Sequence, residues 1–194
     1  NDVFRGVSGG ERKRVSIAEA LSARAAVYCW DNATRGLDAS TALEYAQAIR
    51  TTTNLMKSAS FVTIYQASEN IYNLFDKVTV LYEGRQIYFG PVERARQYFI
   101  DMGYGPLNRQ STTEFLTSVT DPLGRFAREG YEHKVPHTPA EFEEYWLKSQ
   151  EYKVLQTTIT QYNSTVDADE TKKSFKKSLS KEKSLFTRAN SRYT

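Results

Sequence analysis

The chain holds a single cysteine, Cys29, so no internal disulfide can form, which suits a cytosolic location. Long apolar runs are also missing. The longest unbroken one, Ala25–Trp30, falls far short of the roughly 18 residues that a membrane span needs. No secretory signal pattern is visible, and no initiator Met heads the chain. Opening at Asn1 and ending at Thr194 without a finishing motif, the chain reads as a fragment. Charge excess is small: 26 Lys/Arg against 23 Asp/Glu gives +3. Thr165–Thr194 holds eight Lys/Arg and four Asp/Glu, a local +4, so the remainder is near −1. That excludes an overall basic nucleic-acid binder and leaves a local basic tail.

What is present is the balance of a soluble globular protein, 40% apolar and 25% charged. Ser8-Gly9-Gly10-Glu11 opens a helical stretch with Val15, Ala18 and Leu21 on one face. Ala26–Trp30 reads as a buried strand continuing to Asp31, with Cys29 inside it. Asp38 is a good N-cap for a helix carrying Leu43, Ala46 and Ile49. Ser60–Tyr65 is a second buried strand, and Val78–Tyr82 with Gln86–Phe89 flank a hairpin turn. Pro91 starts a helix with Val92, Ala95, Phe99 and Met102 at helical spacing, stopped by Gly103. Strands separated by helices predict an α/β fold, a parallel sheet with helices on its faces and both faces buried. Beyond it, Ser111–Glu114 and Thr138–Glu141 match the capping box. The predicted organisation is residues 1–105 as the α/β part, 106–162 as a helical extension, and 163–194 as a Lys/Ser-rich mobile linker.

The segment Val7-Ser8-Gly9-Gly10-Glu11 is weak evidence alone, since so short a string recurs by chance. Its physical sense is an anion seat. Unpaired amides and the positive dipole end favour phosphate at a helix N-terminus, and glycine lets backbone approach closely. A buried strand ending in Asp31 follows, then Gly36-Leu37-Asp38, then a further helix and strand ending at Tyr65-Gln66. In that order these resemble the signature, Walker B, D-loop and switch position of an ABC ATPase. Four elements in sequence, each in a fitting context, make the resemblance specific.

The resemblance implies a P-loop NTPase (RecA-like) fold whose Walker A part, Q-loop and adenine-stacking aromatic should precede Asn1. It implies ATP and Mg²⁺ as cofactors. Val7, Ser8, Gly9, Gly10 and Glu11 would close over ATP held by a second nucleotide-binding domain. Asp31 would hold the magnesium ion, and Gly36, Leu37 and Asp38 would lie at the interface between the two domains. Two positions depart from the pattern. Asn32 stands where a Glu general base is normal, and an amide has no useful basicity near neutral pH. Tyr65 stands at the switch histidine, and a phenol does not titrate near pH 7. The chain's own site should therefore hold no competent catalytic residue, while its intact signature completes the other site.

This combination is similar to the fungal pleiotropic-drug-resistance ABC transporters. Tyr28–Asp38, Gln86–Pro91, Tyr98–Tyr104 and Phe115–Pro122 carry the likeness, which covers about residues 1–155 well and the tail poorly. It implies ATP-driven export of hydrophobic compounds across a membrane, with the transmembrane domains and second nucleotide-binding domain of the same polypeptide as partners, and no nucleic acid. The cytosolic face of the plasma membrane is the implied location. Lysines beside Ser174, Ser178, Ser180 and Ser184 suggest anionic lipid contact tuned by phosphorylation. Two rival readings remain: a soluble ABC ATPase acting on ribosomes or DNA, and a non-hydrolysing, nucleotide-sensing half. His133 and His137 are four apart, but Pro136 between them points to a solvated loop rather than a metal pair.

Overall fold

The first strand, β1 (Val27–Trp30), pairs in parallel with β2 (Ala59–Val62), in the register Val27↔Ala59 to Trp30↔Val62. The computed structural model describes residues 9–65, 67–165, 170, 173, 174, 176–178, 180 and 181. Val7, Ser8 and Gln66 lie outside these described residues. Helix α1 (Gly9–Ser22) precedes β1, and α2 (Ala39–Met56) joins the two strands. This is the helix-crossed parallel pair that the alternation predicts.

Asp38 begins α2 as expected. Its backbone stays extended at φ −69 and ψ 163 while its side chain accepts the Thr41 amide. Lys57 ends the helix in the left-handed region at φ 52. Ala42, Tyr45, Ala46 and Ile49 are buried, so Ala46 and Ile49 lie where the spacing puts them, with Leu43 half-buried beside them. Of the predicted α1 face only Leu21 packs inward, while Val15 and Ala18 are exposed. Val15 is 64% exposed, and Ile17 with Leu21 packs against Tyr45 and Ile49. The helix is apolar on two sides, and only the Ile17 side meets α2 and Trp30.

The expectation that the parallel sheet buries both faces fails for these two strands. Tyr28 is buried and stacks on Trp30 at 5.7 Å, and Trp30 meets Tyr45 edge-on at 6.2 Å. That face carries the core, and burial pushes the Tyr45 phenol up to about 12. The opposite face holds Val27 (54% exposed), Phe61 (64%) and Cys29, which is exposed rather than buried. Period-2 alternation sends alternate residues to opposite faces, so one packed face leaves the other open. Strand β2 is also shorter than predicted. Its ladder ends with the Thr63 amide donating to the Trp30 carbonyl at 2.9 Å.

After the short α3 (Glu69–Tyr72), β3 (Lys77–Tyr82) and β4 (Arg85–Pro91) form an antiparallel hairpin with Tyr82 opposite Arg85. Glu83 and Gly84 both take positive φ, 46 and 78, which suits the right-handed twist of the strands. Helix α4 (Val92–Met102) buries Val92, Ala95, Phe99 and Met102 as its spacing predicts. Gly103 ends it at φ 119, where a Cβ would lie 2.6 Å from Tyr131 and 2.7 Å from Val135. No other residue type fits that turn. The Arg50 guanidinium grips Asp76 with bonds of 2.5 and 2.9 Å, tying α2 to the start of the hairpin.

Helix α5 (Thr112–Val119) starts with a complete capping box between Ser111 and Glu114. Glu69 accepts bonds from both the amide and the hydroxyl of Thr112, each 2.7 Å, and the Thr113 hydroxyl donates to the Ala67 carbonyl at 2.7 Å. Thr138 and Glu141 make the second reciprocal cap at the start of α6 (Pro139–Lys148). The Ser111 amide holds the Glu114 carboxyl below the usual carboxylate range, and the His137 amide does the same for Glu141. Both lowered values mean stability that is present above the ordinary glutamate pKa and lost as pH falls through the lowered one. Ser111→Ala is expected to cost α5 about 1 kcal/mol, read as faster amide exchange across the helix. Unchanged exchange would show that the cap contributes nothing.

The structure divides into two compact units, Asn1–Tyr145 and Trp146–Thr194. The second contains α7 (Gln150–Thr165), which has no buried residue, and a Trp146–Tyr152 ring contact at 5.5 Å. Beyond α7, the described tail residues, among them Ser174, Ser178 and Ser180, are helical and exposed, while Ser184 lies outside the described residues. Among the described residues, no helix is long and apolar enough to cross a membrane.

Candidate functional site

Gly9 and Gly10 form the first turn of α1, as the sequence predicts, with acidic Glu11 in the same turn. Amides of a first turn have no partner within the helix. Gly10, Glu11 and Arg14 line one wall of an open cleft of about 360 Å³. Gly36, Leu37, Asp38 and Thr41 line the other. The structure thus brings two of the four sequence elements together. A Cβ on Gly10 would meet Thr41 Cγ2 at 3.8 Å, an ordinary contact, so the glycine keeps the cleft open rather than relieving a clash. Gly36 stands at φ +76, the left-handed region that glycine enters freely.

Asp38 is engaged as a cap. Its Oδ1 accepts the Thr41 amide at 3.0 Å and its Oδ2 accepts the Thr41 hydroxyl at 2.6 Å. The hydroxyl bond first, then the amide, holds its carboxyl below the ordinary value. The carboxylate therefore stays charged at the cleft's edge. Arg14 pairs with Glu44 at 3.1 Å in solvent, a contact of little energetic weight.

Past β1 the chain turns sharply. Asn32 sits at φ 46, a region asparagine tolerates better than most residues. Its amide donates to Thr63 Oγ1 at 2.8 Å, and that hydroxyl donates to Asp31 Oδ1 at 2.8 Å. The register that sets Trp30 opposite Val62 brings Thr63 beside Asp31. The exposed Asp31 carboxylate keeps its second oxygen outside this bond. Asn32 Oδ1 is buried without a hydrogen-bond partner, as is Trp30 Nε1. Tyr65 is 71% exposed and does not line the cleft, and neither does Asp31.

Three contributors escape sequence reasoning: Thr41, Thr63 and Lys13. The Lys13 ammonium donates to the carbonyls of Ala33 at 2.6 Å and Arg35 at 2.7 Å. A lysine in mid-helix reads as a solvated side chain, so only three-dimensional packing reveals it. Thr63 was accessible in principle, because aligning the two predicted strands places it level with Asp31. His133 and His137 are exposed loop residues, and one His137 ring nitrogen lies 2.9 Å from the Glu132 carbonyl. Among the described residues, no group of three or more His, Cys, Asp or Glu could hold a metal ion.

No protein-family model matches the chain. Similarity to whole proteins is extensive. The chain is 61% identical over its full length to Protein SNQ2 of Saccharomyces cerevisiae. It is 62% identical, again over its full length, to the ABC multidrug transporter SNQ2 of Candida glabrata. It is 58% identical to the ABC transporter ATP-binding protein/permease PDR18 of Saccharomyces cerevisiae, also end to end. The chain belongs to the fungal pleiotropic-drug-resistance ABC transporters. It spans 13% of the length of the first two relatives and 15% of the third. The similarity runs through the basic tail, beyond residue 155, where the motif likeness ends. Within this pleiotropic-drug-resistance segment, the mixed α/β unit with its small parallel sheet carries all the motif residues described.

Proposed function

We propose that this chain is a nucleotide-binding segment of an ATP-driven efflux pump, giving its signature turn to a competent ATP site shared with a second cassette. The observation that carries this reading is the cleft in which the first turn of α1 faces Gly36, Leu37 and Asp38. The positive dipole end of α1 and a glycine that leaves room fit the approach of a phosphate-bearing surface from another domain. Val7 and Ser8 extend the same signature. Residues 1–105 belong on this reading to a P-loop NTPase core, 106–162 to its helical extension and 163–194 to a linker toward the membrane domain. The substrates are hydrophobic compounds, and the protein works at the cytosolic face of a membrane, the plasma membrane by the family likeness. The exposed tail lysines and serines would then face anionic lipid.

Asp31 fits a magnesium ion that arrives with ATP. Mg²⁺ takes one or two carboxylates plus phosphate oxygens and water, and Asp31 offers one exposed carboxylate oriented by Thr63. The ion would neutralise phosphate charge. Asn32, at the position of the general base, offers only an amide without useful basicity. Asn32 is held at positive φ with its backbone amide donating to Thr63, and the Tyr65 ring projects into solvent.

The test uses the full-length transporter with the other cassette's Walker residues disabled. All ATP turnover is expected to vanish, and Asn32→Glu is expected not to restore it. A glutamate forced to φ near 46 carries a strain penalty, and the switch histidine is still missing. Turnover surviving the first change would sink the reading. Turnover restored by the second would mean that one carboxylate was all this site lacked.

A further inference from the structure

The loop between Asp31 and Asp38 has no regular structure, yet four successive carbonyls, those of Asn32, Ala33, Thr34 and Arg35, each accept a hydrogen bond. The Arg35 amide donates to the Asn32 carbonyl and the Leu37 amide to the Thr34 carbonyl, each at 3.1 Å. The carbonyls that follow each of these, of Ala33 and Arg35, both accept from the Lys13 ammonium. Alternate carbonyls are thus satisfied by the loop itself and by one cation from α1. Thr34, between the two bonded carbonyls, is buried.

We propose that Lys13 is a positioning residue that clamps residues 33–37 to α1 and so fixes the spacing between the two walls of the cleft. Gly10, Glu11 and Arg14 stand on the helix that carries Lys13, and Gly36, Leu37 and Asp38 stand on the loop it grips. Bonds to a charged donor are shorter and stronger than neutral ones, and a primary ammonium with three N–H donors can serve two carbonyls at once. Without it the loop keeps its two internal turns and the Asn32 backbone bond to Thr63, but the Ala33 and Arg35 carbonyls lose the Lys13 ammonium. The effect on turnover rests on the function proposed above, but the clamp does not.

The experiment compares Lys13→Met and Lys13→Arg in the full-length transporter by amide exchange over residues 33–38 and by ATP turnover. Lys13→Met keeps the aliphatic stem and is expected to raise exchange there roughly tenfold, the scale of losing charge-assisted bonds that close a local opening. Turnover at saturating ATP should fall about tenfold while KM for ATP stays within about twofold, because an aligning contact is lost rather than a nucleotide-gripping one. Lys13→Arg should recover part of both. If Lys13→Met fails to accumulate, Lys13→Gln, with an uncharged NH₂ on a shorter stem, gives the same reading at smaller amplitude. Unchanged exchange at 33–38 overturns the clamp. Raised exchange with unchanged turnover overturns its positioning role. A wild-type transporter without ATP turnover defeats the functional reading instead, and the exchange comparison then decides the clamp alone.

Discussion

Gly10→Val in the full-length transporter is expected to lower ATP turnover about 10²–10³-fold, the cost of removing a preorganised donor from developing charge. The space around Gly10 explains why a small change should do far less. A Cβ there makes only an ordinary contact with Thr41, so Gly10→Ala fits, and alanine is the better helix former. The two further methyls of valine project toward the cleft and hold an incoming phosphate away from the first-turn amides. Folding should be unaffected by either change, which native abundance and thermal unfolding would report. Measuring turnover for the pair separates a blocked surface from a damaged helix. If Gly10→Val works as well as the wild type, that turn is not where nucleotide closes.

The second large effect concerns the open side of the parallel strands. Val27, Cys29 and Phe61 share one face and are exposed, while Tyr28 and Trp30 carry the core on the other. A bare apolar sheet face self-associates, so the isolated chain is expected to aggregate and to hydrolyse no ATP. Phe61→Lys should make the isolated chain markedly more soluble without loss of helix content. In the full-length transporter the same change should sharply reduce folded protein, because there the face is expected to lie under the rest of the domain. An uncompensated buried charge costs several kcal/mol. Sedimentation of the isolated chain and abundance of the whole transporter check the two halves. Tolerance of Phe61→Lys in both settings would show the face to be solvent-exposed throughout.

Much of this fold was legible because local rules and packing agree. The Asp38 and Ser111 caps, the hairpin at Glu83–Gly84 and the stop at Gly103 each follow from residue types at fixed offsets. The α1 face was misjudged because a helix with apolar residues on two sides does not announce which will find a neighbour, and Ile17 did. Cys29 was misjudged because a strand's burial depends on what covers each face, which no four-residue run encodes. Of the site, the glycine turn and the Gly36–Asp38 segment were readable and do share a cleft. Lys13 was not, because its role is set by two backbone carbonyls that lie 20 and 22 residues away in sequence.

The fastening between Glu69 and Thr112, with Thr113 on the Ala67 carbonyl, bears on how this protein is cut for study. Trimming at residue 105 would discard the threonines that anchor the stretch following Tyr65, leaving a carboxylate and a carbonyl without donors. Any shortened version meant to report on the motifs should therefore retain the helix beginning at Thr112, however remote that helix looks from the glycine turn along the chain.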